Sequence, residues 1–124
     1  MTEQYKLDRP SALTCPECGG ATTAESTGTL LQFRCHIGHV LTAEAMLAAQ
    51  FTMVEAKLAA SLVALKERAE LCRQMSDVAS AQGQDAASHE TAGKEALERA
   101  GLIKRLLESE WIATARGSTG ELRG

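Results

Sequence analysis

The chain has 124 residues and a formal net charge of −3, and much of its 44% hydrophobic content is alanine, with only Tyr5, Phe33, Phe51 and Trp111 as aromatics. That length fits one ordinary domain, and so few bulky rings suit closely approaching helices better than a thick sheet sandwich. The lack of a positive excess argues against a polyanion binder, the polar opening "MTEQYKLDRP" against a secretory leader, and no apolar run approaches the roughly twenty residues of a membrane span.

These exclusions predict a cytoplasmic protein with no membrane partner. In that compartment thiols stay reduced, and clustered cysteines favour a metal over disulfides. Residues 1–11 read as a flexible N-terminus. Residues 12–41 then carry the chemistry, with "CPECGG" at 15–20 and "CHIGH" at 35–39.

Cys15 and Cys18 flank Pro16 and Glu17, and Gly19 and Gly20 let the backbone turn back, which is the pattern of a metal knuckle. The stretch from Thr22 to Cys35 reads as short strand, turn near Ser26 to Gly28, and short strand "TLLQFRC". That hairpin returns Cys35 to the first knuckle. Gly38 permits a second sharp turn, after which His39 can close the set. The spacing C-x2-C-x16-C-x3-H lies within the range of zinc sites. Neighbouring side chains on extended backbone point to opposite faces, so His39 rather than His36 is expected beside Cys35, with His36 as the alternative fourth ligand. Three thiolates and an imidazole form a closed site without an open position for water. The expected role is therefore a structural Zn2+ that supplies folding energy, not catalysis. Rubredoxin-like iron and electron transfer form the redox alternative.

From Thr42 the period changes to helical. Thr42 is the expected N-cap, with Glu44 in the first turn. Leu47, Phe51, Val54, Leu58, Leu62, Leu65, Ala69, Cys72 and Met75 form one apolar stripe, while Lys57, Lys66, Glu67, Arg68, Glu70 and Arg73 fall largely off it. No proline or glycine interrupts 42–82. Cys72 therefore lies about 45 Å along the helix from Thr42, too far to ligate, and reads as a small buried residue.

Gly83 breaks the helix and Asp85 can cap the next one. The second helix is expected over 85–116, on a stripe of Ala92, Ala96, Ala100, Ile103 and Leu107 widened by Leu97, Leu106, Trp111 and Ile112. Gly93 and Gly101 permit close approach of a partner helix. His89 reads as solvated or packed between helices, and 117–124 as a fraying tail. The whole predicts a small α+β chain: a zinc ribbon of short antiparallel strands, then a long antiparallel helical hairpin. With the second helix reaching 116, Ala115 would stand level with about Thr52. Met46, Leu47 and Phe51 would then project past the hairpin as an interaction surface, for a homodimer or another protein partner.

The segments "LTCPECGG", "FRCHIGHVLTAEAML" and "LAASLVALKERAELCRQM" resemble the zinc-ribbon-plus-helices region at the C-terminal end of some bacterial chemotaxis-type protein-glutamate methylesterases. The resemblance spans roughly residues 12–110. It implies metal ligation by Cys15, Cys18, Cys35 and His39, with His36 matching the motif, and a setting in bacterial signalling. The methylesterase catalytic domain has no counterpart here, and no serine lies in a G-x-S-x-G context, so esterase activity does not carry over. The expected function is a non-enzymatic interaction or regulatory module. A nucleic-acid-binding zinc ribbon is the alternative. Residues 1–41 disfavour it, carrying three basic side chains (Lys6, Arg9, Arg34) against four acidic ones (Glu3, Asp8, Glu17, Glu25).

Overall fold

The computed structural model describes residues 7–110. It is a small α+β arrangement. Three strands, β1 (Thr22–Thr27), β2 (Leu30–Cys35) and β3 (Val40–Thr42), precede two helices, α1 (Ala43–Ala81) and α2 (Ala87–Glu108). The sheet is antiparallel in the order β1-β2-β3. A two-residue turn at Gly28 and Thr29 sets the register Thr27↔Leu30, which carries through to Thr22↔Cys35. β3, which the sequence reading left inside the ribbon without a strand of its own, adds Phe33↔Leu41 and Gln32↔Thr42. Thr42 thus ends the sheet and caps the helix, accepting a 3.1 Å hydrogen bond from the Ala45 amide. This shared residue leaves no linker between sheet and helix. Phe33 is buried in the sheet, and Met46, in the first turn of α1, is only 2% exposed where that helix meets β2 and β3.

α1 ends one residue earlier than expected. The Gln84 amide bonds back to the Ala79 carbonyl at 2.8 Å and the Gly83 amide to Ser80 at 3.0 Å, the paired bonds of a Schellman stop. Asp85 accepts a hydrogen bond from the Ala87 amide at 2.9 Å, so it serves the helix start although α2 begins only at Ala87.

The largest departure is the end of α2. It stops at Glu108, because Ser109 turns extended (ψ 156) and its hydroxyl donates to the Leu106 carbonyl at 2.8 Å. A serine hydroxyl competing for a terminal carbonyl favours a helix end. The expected run to 116 is therefore cut short. Trp111, Ile112, Ala115 and the expectations placed on 1–6 and 117–124 lie outside the described residues.

The packed stripe is narrower and smaller than the apolar pattern suggests. On α1 it runs through Leu62, Leu65, Ala69, Cys72, Ser76 and Ala79, with Met75 turned to solvent. On the other side it runs from Ala86, just before α2, through His89, Gly93, Ala96, Ala100, Ile103 and Leu107, with Leu97 and Leu106 exposed. Alternating steps of three and four residues place both stripes on a coiled-coil-like seam. A side chain built on Gly93 would start 3.2 Å from Cys72 Cβ, so the close approach expected there occurs. At Gly101 only the tip of Arg105 comes within 4 Å, so that glycine admits no partner helix within the chain.

Counting outward from Cys72 and Gly93 at equal rise puts Ala69 level with Ala96, Leu65 with Ala100 and Leu58 with Leu107. The end of α2 then stands level with Lys57, and α1 projects beyond it by about 21 Å. On this projection Met46 is taken up by the chain itself and Phe51 is half-buried, while Leu47 remains 46% exposed. α1 also departs from the expectation about apolar runs. By length and composition it is apolar enough to cross a membrane, with a mean hydropathy of 1.3 over its most apolar stretch, and 6% of that stretch is buried.

Candidate metal centre

Two knuckles of matching design build the centre. In the first, the Cys15 amide donates to the Gly20 carbonyl at 2.7 Å and the Gly19 amide to the Cys15 carbonyl at 2.9 Å. In the second, the Cys35 amide donates to the His39 carbonyl at 3.0 Å and the Gly38 amide to the Cys35 carbonyl at 3.1 Å. Each tight turn needs one left-handed residue, and glycine supplies it at φ 80 (Gly19) and φ 114 (Gly38). The bridge Thr14↔Ala21 and the bonds from the Thr22 amide and hydroxyl to the Leu13 carbonyl clamp the first knuckle's base. The Thr22↔Cys35 register then sets the two turns side by side.

Cys15, Cys18, Cys35 and His39 thereby bring one donor atom each to within 4.8 Å of all the others. Cys18 Sγ lies 3.6 Å from Cys35 Sγ, and His39 Nδ1 lies 3.3 Å from Cys35 Sγ and 3.7 Å from Cys15 Sγ. Four donors on a tetrahedral ion, with sulfur at about 2.3 Å and nitrogen at about 2.0 Å, would stand about 3.8 Å apart sulfur to sulfur and about 3.5 Å sulfur to nitrogen. The three distances above fall close to those edges. All cysteines are free thiols, so no disulfide competes for these sulfurs. A soft donor set of this kind suits zinc or iron rather than magnesium or calcium.

The surrounding groups prepare the donors. Burial pushes the Cys35 thiol up, but the backbone amides of His39, Ile37 and Gly38 outweigh it and bring it down to about 6. The Gly20 amide pulls the Cys18 thiol down, yet burial and the neighbouring Cys35 and Cys15 sulfurs leave it raised. The Cys35 and Cys15 sulfurs facing Nδ1 hold the His39 imidazole above its ordinary value against the opposing effect of burial, and Glu17 adds to the rise.

Both nitrogens of His39 have work to do. With Nδ1 turned to the sulfurs, Nε2 faces Glu17 Oε1 at 3.7 Å, which sets a carboxylate behind the ring just beyond direct hydrogen-bond distance. The sequence reading gave Glu17 no such part, although its place between the two cysteines of the first knuckle was the available signal. His36 does not join the donors. It is exposed, and its ring lies over Gly20, where an added Cβ would stand 2.8 Å from Cε1. Cys72 lies on α1 beside Gly93 and His89 sits between the helices, both apart from the cluster.

Comparison of the chain with known protein families, with curated proteins and with solved structures finds no match.

Proposed function

We propose that this chain is a non-enzymatic protein-interaction module, in which one zinc ion held by Cys15, Cys18, Cys35 and His39 makes the N-terminal sheet a zinc ribbon fused to a helical hairpin. The closed donor set carries the reading, since four donors within 4.8 Å of one another fill a tetrahedron. A catalytic zinc keeps three protein ligands and one open position. The ribbon segment buries little besides Cys15, Thr22, Phe33 and Cys35. So small a segment draws its folding energy from the metal.

The hairpin supplies the surface for a partner. Leu47, Val54, Val63, Leu71, Met75 and Val78 of α1 are all exposed, more than single scattered apolar residues on a finished surface. By the resemblance of its motifs, the setting we propose is chemotaxis-type signalling in the bacterial cytoplasm. The test is a pull-down from the native host's extract with zinc-loaded protein and with a Cys15→Ser, Cys18→Ser variant. Companions captured only by the zinc-loaded form support the module. Identical captures by both forms count against it.

A further inference from the structure

The two broad sides of the hairpin differ. Residues one place after the packed positions face one side on both helices, and residues one place before face the other. The first side bears Lys66, Glu70, Arg73 and Asp77 of α1 with Glu90 and Lys94 of α2, around a groove of about 630 Å³ that Leu97, 58% exposed, also lines. Several of these charges pair within the chain: Arg73 reaches Glu70 at 2.6 Å and Asp77 at 2.9 Å. Charge dominates this side around the groove, and Leu97 and Val63 are its exposed apolar residues.

The second side is apolar at both ends. Leu71, Met75 and Val78 of α1 border a hollow of about 400 Å³ near the loop, and Leu102 and Leu106 of α2 form a second patch. All five are between 42% and 56% exposed. A belt of Arg68, Glu95 and Arg99 separates the patches. The patches are evenly spaced about that belt. Leu71 lies four positions beyond Glu67, and Leu102 stands level with Val63, four positions before it. Met75 and Leu106, level with Ala59, repeat the relation at eight positions.

We infer that this side binds a second copy of the chain, turned end for end about a two-fold axis at the level of Glu67. The inference rests on the interaction-module reading and names its partner. Within the belt Glu95 and Arg99 are self-complementary in this arrangement, because Glu95 of each copy meets Arg99 of the other, while the two Arg68 side chains stand near one another across the axis. Leu71 comes over the second copy's Ala64 and Leu102 over its Ala92, large against small as an interdigitated layer needs. Val54, on the part of α1 that outreaches α2, comes over the loop end of the second copy. Arg68 shares the belt, and its long stem can carry the guanidinium to the rim. The product is an isologous four-helix bundle with the two metal centres at opposite ends.

Sedimentation of the zinc-loaded full chain tests this at tens of micromolar. The wild type is expected as a dimer. Glu95→Arg alone and Arg99→Glu alone should each weaken association about tenfold or more, through like charges set opposite one another. Mixing the two variants should restore it, because each altered position then faces the opposite charge in the other copy. Leu71→Glu should give a helical monomer that keeps its metal. A monomeric wild type overturns the inference, and so does a dimer whose two charge variants fail to rescue one another, which is the outcome for parallel pairing. Zinc content and pull-down on the same samples keep the two proposals apart. A monomer that holds zinc and captures companions loses only the second copy as partner, whereas a chain without zinc loses the module reading.

Discussion

Cys72 Cβ lies 3.2 Å from the point where a side chain on Gly93 would begin, and this pair sets how closely α1 and α2 approach. The contact predicts opposite outcomes at the two glycines of α2. Gly101→Ala meets nothing but the flexible end of Arg105, and should stabilise the hairpin by up to about 1 kcal/mol through helix propensity. Gly93→Leu should cost about 1–3 kcal/mol by overpacking against a neighbouring backbone and Cβ. Thermal unfolding of both variants checks the contrast. Equal effects of one sign would show that the helices do not close on Gly93.

The fourth donor yields a second prediction. His39→Ala should lose most of the bound metal, since Nδ1 stands 3.3 Å and 3.7 Å from two of the sulfurs. His36→Ala should keep it, because that ring rests over Gly20 outside the donor set. Metal content of the purified variants decides, and equal retention in both overturns the assignment.

Glu17 should matter in a graded way. Removal of a carboxylate behind a ligating histidine costs about 10–100-fold in metal affinity. At 3.7 Å from Nε2 the contact is long, so Glu17→Gln is expected at the lower end, about tenfold. Competition with a chromophoric chelator measures it, and an unchanged affinity would remove Glu17 from the centre.

Protons compete with the metal, and the sign follows from the donors. A metal takes thiolates and a neutral imidazole, so binding expels whatever protons the metal-free site holds. Cys18 and His39 are raised above their ordinary values, which makes their protons harder for a metal to expel, while Cys35, down at about 6, takes one up only as the pH falls through that value. Affinity should therefore rise with pH, and loss of metal should steepen below about pH 6. The same chelator competition at several pH values tests this. A flat profile would mean that the thiolates are not the donors.

Much of this was legible in the sequence, because the deciding features are local. The two glycine-bearing knuckles, the intervening hairpin and the Thr42 cap each depend on a few adjacent residues, and all appear where the pattern puts them. Three features were harder to read. The end of α2 was hidden because apolar residues (Trp111, Ile112, Ala113 and Ala115) follow Ser109 in the sequence, whose own hydrogen bond stops the helix. Most of the packed face was read from its periodicity, but apolar periodicity weights large residues, so it put Met75, Leu97 and Leu106 on the stripe where the seam takes the small Ser76 and Ala79 and leaves those three outside. Glu17 behind His39 depends on the two knuckles meeting in space, which spacing along the chain does not reveal.

The central claim is that one metal ion holds the sheet together, and the most direct measurement joins metal analysis to the amide NMR spectrum of the full chain, purified without added metal. The account predicts one zinc per chain. It also predicts that a chelator collapses the dispersed signals of residues 13–42 while those of α1 and α2 beyond their first turns persist. Iron as the bound metal, or a chelated protein whose strands keep their dispersion, would contradict it.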